Sequence, residues 1–365
     1  MKKSRTLFYI GAGSLSFLAL GMLSGCGTTQ AVVSSPAQVA VVALEPMTAP
    51  DWWFPLQSDT AYLPVNSQMN HLMYIPLVSV NSSGAIDYAD SLAKSIHWNA
   101  TGERYTIRLN PQWRWSNGKP VTAQDVVWSA DLLLQASSGN PRFSWMFGGA
   151  GIGGLPTTGS SGRWKSVVAK GSRTVVVTLN KPSNPTWFIR NGLSQIQPVP
   201  EAQWKKSSNW AKEMAFILSV SDTPQAAVYH VVDGPYQFDA KDSKTHDQYW
   251  TFTPNPDYAG HRSTLSRVVF TYESSDAAEF SALKTGKVTV GYLPYSMYAD
   301  RSALKQDTLH AFFSLGFNNL YPNFNLKAPQ NFGTLISHLY VRKALEMGID
   351  QPVIVQKIFH GYGDV

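Results

Sequence analysis

The sequence is short of cysteine, of charge and of clustered histidine, and each shortage removes a class of function. Cys26 is the one cysteine in 365 residues, so no intrachain disulfide and no multi-cysteine metal centre can form, and stability rests on the core. The chain is long enough for such a core, and its length favours two or more domains. Charged residues make up 15% of the sequence, and no run of five basic residues occurs, which argues against nucleic-acid binding. The histidines are scattered from His71 to His360, with no i, i+4 pair and no H-E-x-x-H, so no metal motif is present. There is no G-x-S-x-G nucleophile elbow. Asp239, Asp242 and Asp247 lie in a polar stretch between two strand-like segments and read as a solvated hairpin loop rather than as catalytic carboxylates. Gly149, Gly151 and Gly154 have G-x-G-x-x-G spacing, but no clear strand precedes them and Leu155-Pro156 blocks a following helix, so a surface loop is the reading. Nothing in these residues argues for an enzyme, a cofactor or a metal.

What the chain has in quantity is aromatic side chains, 12 Trp, 16 Tyr and 17 Phe. Low charge with many aromatics suits recognition of solutes through apolar and stacking surfaces. It also suits an acidic medium, in which carboxylates lose their charge.

The N-terminus carries an address. Lys2, Lys3 and Arg5 form a positive region, Leu7 to Leu20 is mostly apolar, and Leu23-Ser24-Gly25-Cys26 has the Leu-small-small-Cys form of a lipobox. In that chemistry the Cys26 thiol receives diacylglycerol and the chain is cut just before it, leaving a protein outside the cytoplasm and tethered to a membrane. A plain secretory signal or a single membrane anchor are the alternatives. The apolar stretch is short for a spanning helix and rich in Gly and Ser. Residues 1–26 are therefore read as a signal peptide and 27–38 as a flexible tether. Losing the three basic residues of the signal leaves 27 basic against 24 acidic residues, a net charge of +3.

Beyond the tether, Gln38 to Leu44 reads as a strand, followed by a loop holding Trp52-Trp53-Phe54-Pro55. Arg104 to Leu109 alternates apolar and polar residues as a half-buried strand does. Asn117-Gly118 marks a turn within Trp113–Pro120. A helix begins at Thr122: its hydroxyl caps the first turn, Asp125 reaches back from the third position, and Val121 and Val126 staple the entry. Val126, Ala130, Leu133 and Leu134 make its apolar face. Further strands are expected at Arg173–Leu179, Tyr249–Thr253, Arg267–Glu273, Val288–Leu293 and Ala311–Phe317, with helices over Ala277–Lys284 and Tyr340–Met347. Asp350 should cap a last helix running to Phe359, with Pro352 in its first turn and Gly361 past its end. Mixed strands and helices without repeats indicate an α/β or α+β fold.

The stretch YTIRLNPQWRWSNGKPVTAQDVVWSADLLL from Tyr105 resembles the signature of the extracytoplasmic solute-binding proteins of family 5, the oligopeptide-, dipeptide- and nickel-binding proteins of ABC transporters. Ile75-Pro-Leu-Val-Ser-Val with Gly84 and Asp90-Ser-Leu-Ala-Lys resembles that family's upstream segment. Gly234-Pro-Tyr-Gln-Phe with Asn255-Pro-Asp-Tyr, Leu283-Lys-Thr-Gly-Lys-Val-Thr-Val, and Val341-Arg-Lys-Ala-Leu with Ile349-Asp350 and Gly361-Tyr-Gly resemble its later landmarks, in order. Departures are Asn110, Asn117 and Gln351, where a basic residue, Asp and Arg are usual; they fall at turn or surface positions.

The resemblance implies an α/β, periplasmic-binding-protein-like (type II) two-lobed clamp with an extra domain. Residues 39–75 with 180–292 would form lobe I, 76–179 an inserted family-specific domain, and 293–365 the start of lobe II, incomplete at the C-terminus. It implies a monomer that captures oligopeptides or dipeptides and delivers them to the permease subunits of an ABC importer. An extended peptide would be held by main-chain hydrogen bonds in wet pockets. A nickel- or haem-binding member and a peptide-sensing lipoprotein stay open as alternatives, and a lipid-anchored hydrolase stands further off. Two segments are ligand-facing by the resemblance: Trp52, Trp53 and Phe54 after the first strand, and Arg142, Phe143 and Trp145 after the signature helix, of which one supplies the aromatic contact. Asn318 is a third candidate. Core packing is the competing reading for each aromatic. The family's acidic anchor for a peptide amine falls after Val365, so weak or no binding is expected of this stretch of chain.

Overall fold

The computed structural model describes residues 38–44, 49–56, 64–137, 164–244, 249–310 and 319–365. They divide into two compact units, one ending at Tyr292 and one running from Leu293 to Val365. The lipobox, the glycine-rich loop and the expected strand Ala311–Phe317 lie outside the described residues.

The larger unit holds two four-stranded sheets. In the first, β1 (Gln38–Ala43) opens the chain, and the small hairpin β2 (Ser79–Val80) with β3 (Ile86–Asp87) stands apart from it. The second sheet is formed by β4 (Ala93–Trp98), β5 (Arg104–Leu109), β6 (Trp164–Ala169) and β7 (Thr174–Leu179), in the antiparallel order β4-β5-β7-β6. The chain then returns to the first sheet through β8 (Tyr236–Phe238), β9 (Tyr249–Pro254) and β10 (Leu265–Thr271), giving β1-β10-β9-β8 with β1 parallel to β10 and the rest antiparallel. In β9 three successive residues, Trp250, Thr251 and Phe252, are buried, as expected of an interior strand covered on both faces. In β5 the side chains alternate, Tyr105, Ile107 and Leu109 inward and Arg104 and Arg108 outward, the two-residue period of a sheet with one wet face.

The strands β4 and β6 escape the sequence pattern because they are edges. Lys94, His97, Lys165 and Val168 are exposed there, and charged, broken patterns are what a protected edge carries. The expected strand Val288–Leu293 is instead a single bridge between Val290 and Val42. The Thr289 hydroxyl accepts the Val41 amide at 2.9 Å and donates to the Val41 carbonyl at 3.0 Å, so a side chain fills the place of a ladder rung. Gly291 then ends the pairing.

Helix α2 (Ala123–Ser137) starts where the capping pattern puts it. The Asp125 carboxylate accepts the Thr122 amide (2.9 Å) and hydroxyl (2.8 Å), and the Thr122 Oγ1 accepts the Asp125 amide (3.3 Å). Val121, Val126, Ala130 and Leu133 are buried. Asp125 does more than cap: Oδ1 accepts the Glu201 amide at 2.9 Å, and Oδ2 lies 3.4 Å from the Trp115 indole nitrogen. One carboxylate thus ties the helix start to the Trp113–Pro120 turn and to the returning chain.

A second junction joins helix α1 (Pro64–Met73) to the returning chain. The amides of Asp233 and Gly234 both donate to the Met73 carbonyl (3.2 and 2.7 Å), and Asp233 Oδ1 accepts the Ile75 amide (3.0 Å). A Cβ on Gly234 would lie 2.4 Å from the Leu72 carbonyl oxygen, so the crossing requires glycine. Ser116 closes the other side, its amide donating to Val232 O at 2.7 Å.

In the smaller unit a 3-10 stretch, Tyr295–Ala303, precedes the helices Phe332–Ser337 and Leu339–Met347. Tyr298 stacks on His360 with ring centres 4.4 Å apart, and the Arg301 guanidinium lies 4.1 Å from the Tyr298 ring centre. Asp350 caps the last helix through the Val353 amide (3.0 Å). Its continuation is a π turn over Ile354–Ile358, closed by the Phe359 amide on Ile354 O (3.2 Å), where an α-helix to Phe359 was expected.

Replacing Asp125 with Ala removes acceptors from the cap and from Glu201 together and should cost about 2–4 kcal/mol, against about 1 kcal/mol for Thr122→Ala. Urea denaturation of the two variants checks the ranking; equal losses would mean that Asp125 acts only as a cap.

Candidate functional site

β1 and β10 run parallel and end together, the Leu44 amide donating to Thr271 O at 2.8 Å. Beyond the carboxyl end of such a pair the loops diverge, and in open α/β sheets ligands bind there. Several polar side chains converge on this edge. Tyr292 follows the bridge at Val290; its amide donates to Glu279 Oε1 (2.6 Å), and its hydroxyl accepts from Gln68 Nε2 (2.8 Å). Gln68 comes from α1 and Glu279, fully buried, from the helix Asp276–Lys284. A Cβ on Gly291 would sit 3.0 Å from Glu279 Oε1, a tight contact with the end of that side chain. Two residues before Gln68, Asn66 pairs with Asp51 in both directions, accepting its amide (3.1 Å) and donating to its carboxylate (2.9 Å). Thr271 and Glu273 are buried close by, and Lys287 meets Glu273 at 3.1 Å. The Lys287 side chain is 66% exposed, so that ion pair is worth little.

The structure places the sequence-derived site residues unevenly. Trp52, Trp53 and Phe54 are buried, at 3%, 2% and 0% exposure. Trp53 stacks on Phe252 and tilts against Phe238, with centres 6.2 and 5.4 Å apart, and Phe54 packs on Trp204 at 4.7 Å. The Trp52 indole donates to Leu56 O at 3.3 Å. Their rings belong to the core, and of residues 51–56 the exposed one is Asp51. Arg142, Phe143, Trp145, Asn318 and Cys26 lie outside the described residues. Asn66, Gln68, Glu279 and Tyr292 were not anticipated. For Trp52–Leu56 the apolar run fits a cleft and a core alike; for the polar four no local pattern distinguishes them, since they meet only through the topology.

At the opposite end of the same sheet a cleft of about 260 Å³ is lined by Pro235, Tyr236, Pro254, Asn255, Pro256, Arg262 and Ser263. It is below the usual size of a small-molecule site, and the Arg262 guanidinium is tied to the carbonyls of Tyr258 (3.3 Å) and Pro256 (2.5 Å). Among the described residues no group of three or more His, Cys, Asp or Glu side chains could hold a metal ion, and no helix is long and apolar enough to cross a membrane.

Solved structures share this architecture. The oligopeptide-binding protein AppA from Bacillus subtilis, in complex with a nonapeptide, matches with a TM-score of 0.66 at 21% identity, over 90% of this chain and 58% of that one. NikZ from Campylobacter jejuni, in complex with Ni(L-His), matches with a TM-score of 0.62 at 20% identity, over 91% and 57%. The fold is therefore the mixed α/β fold of the two-lobed periplasmic binding proteins. The profile of the bacterial extracellular solute-binding proteins, family 5 (middle region) matches residues 87–365, and the chain belongs to that family. Members are transport binding proteins rather than enzymes. Curated relatives include the dipeptide-binding protein of Bacillus subtilis, 26% identical over 287 residues (74% of this chain, 46% of that protein). The oligopeptide-binding protein of the same organism is 23% identical over 294 residues (78% and 48%). The chain spans about half the length of these relatives.

The burial of Trp53 makes a stability prediction that separates core from cleft. Trp53→Ala should lower the unfolding free energy by about 3–5 kcal/mol; a denaturation midpoint unchanged from wild type would return the ring to the ligand surface.

Proposed function

We propose that this chain is part of the substrate-binding component of an ABC importer, which captures oligopeptides or dipeptides outside the membrane and hands them to the permease subunits. The observation that carries this reading is the family match over residues 87–365 together with relatives named for dipeptide and oligopeptide binding. In this reading residues 39–75 with 180–292 act as lobe I, 76–179 as the inserted domain and 293–365 as the beginning of lobe II. The protein acts as a monomer. Arg142, Phe143, Trp145 and Asn318 remain the ligand-facing candidates, and the Asp51–Asn66 and Gln68–Tyr292 pairs offer further polar groups at the carboxyl edge. The buried Trp52, Trp53 and Phe54 contribute by holding the loop that carries Asp51.

Binding by such a protein is a population shift: solute contacts favour one arrangement of the lobes over another. Lipidation of Cys26 would keep the protein near its permease and raise its effective concentration there. A nickel-binding member is the second reading, favoured by the likeness to the Ni(L-His) complex.

Mass spectrometry of solute retained by the natively purified full-length protein, spanning the whole length of its relatives, tests the ligand class. A ladder of peptide masses is the expected outcome, and a nickel complex or a porphyrin in their place would sink the peptide reading. The anchor has its own test. Cells expressing the wild-type chain should incorporate labelled fatty acid into it, and Cys26→Ala should abolish the label; labelling that survives the substitution rules the lipobox out.

A further inference from the structure

Asp233 stands at the α1 crossing with no exposed surface and with half of its carboxyl in use. Oδ1 accepts the Ile75 amide, while Oδ2 meets no hydrogen-bond donor among the described residues. The end of α1 presents the buried Tyr74 hydroxyl, and the single turn Glu201–Trp204 presents the Trp204 indole N–H, which faces that hydroxyl. The 3-10 turn Ala227–His230 brings the buried Tyr229, whose hydroxyl donates to Val220 O (3.0 Å). The loop after β9 brings Tyr258, and the start of α2 brings Asp125. None of these is a cation, and the Asp233 carboxyl takes part in none of the ion pairs found among the described residues; the Lys205–Glu201 pair on the same short turn is partly exposed, its side chains 45% and 20% accessible.

We propose that Asp233 is a proton-dependent strut: it holds the Met73–Ile75 crossing as a neutral carboxylic acid, so that the fold tightens in acid and loosens as Asp233 ionises. A buried carboxylate with no cation beside it must find donors for both oxygens; the Ile75 amide serves Oδ1, and no donor among the described residues reaches Oδ2. Protonation removes the charge and leaves Oδ1 free to accept from Ile75. Burial raises the Asp233 pKa well above the ordinary carboxylate value and the Asp125 carboxylate raises it further, against the opposing pull of the Ile75 amide and Asp233's own amide. The Tyr74 hydroxyl is pushed up by its burial and then by Asp233.

The sign follows from linkage. In the unfolded chain Asp233 releases its proton near pH 4, while in the folded chain it keeps it to a higher pH. The folded state therefore binds more protons between these two limits, and its stability falls as pH rises through that window. Asp131, raised by burial and then by Glu201, acts with the same sign, so the contribution of Asp233 has to be isolated by difference.

Asp233→Asn supplies the neutral shape, with an amide oxygen for Ile75 and an NH2 in place of the acid O–H. Urea unfolding of the full chain is measured for wild type and Asp233→Asn from about pH 5 to pH 8. The ratio of wild-type to variant folding constants should fall by up to about tenfold per pH unit. A ratio that does not change with pH overturns the proposal. Infrared spectra give a second readout that does not depend on the variant folding. Folded wild type at neutral pH should keep a protonated-carboxyl C=O band, and its absence there overturns the proposal as well. Where the variant folds, that band should be missing from its spectrum, and its survival there counts against Asp233 as the source.

Discussion

The larger unit depends on how one short segment is held. Met73 to Leu77 carries the chain out of α1 toward the second sheet, and it is bonded on both sides by chain that comes back much later. Asp233 and Gly234 grip Met73 and Ile75 from one side. From the other, Leu77 N donates to Ile196 O at 2.7 Å and the Gln197 side chain donates to Tyr74 O at 3.3 Å. Backbone groups buried this deeply must be paired, because each one left unmade costs its full desolvation penalty. The two sheets therefore share one continuous core, running from Trp53 and Phe252 to Tyr105 and Trp164, although each sheet is built from separate stretches of sequence.

Asp125 does the same work at the start of α2. A capping carboxylate usually serves its own helix. Here the oxygen that does not cap accepts the Glu201 amide, and the residue is 7% exposed. Helix start, tight turn and returning chain meet at one side chain. Ser129, farther along the same helix, repeats the pattern by accepting the Val199 amide at 3.0 Å. Polar side chains with a second, distant partner hold the long-range connections, while the aromatic rings fill the space between them.

What could be read from the sequence was what is local. The β5 alternation, the Asn117-Gly118 turn and the Thr122–Asp125 box are each set by residues within a few positions of one another, and each is found in place. The family landmarks also lie in short contiguous runs. Edge strands β4 and β6 were missed because an edge needs no clean alternation. The Val288–Leu293 strand was overestimated because its β-branched residues carry the right propensity, and a threonine hydroxyl takes over the pairing. At the candidate site the limit is sharper. Three adjacent aromatics look equally suited to a cleft and to a core, and only the neighbours Phe238, Phe252 and Trp204, some 150 to 200 residues away, decide for the core. Gln68, Glu279 and Tyr292 are far apart in sequence, and nothing local marks them as a group.

The Thr289 hydroxyl has a consequence for how an extended solute can be held. β1 is the outer strand of its sheet. The outward amides of Val41 and Ala43 are already taken, by Thr289 Oγ1 and by Val290 O. The Val41 carbonyl accepts from Thr289 and Val290 in turn. No strand from outside, whether a peptide or another copy of the chain, can zip onto that margin without first displacing residues 289–290. The sheet is sealed on that side, which guards it against edge-to-edge aggregation and leaves main-chain recognition of any peptide to the ends of the strands and the loops beyond them.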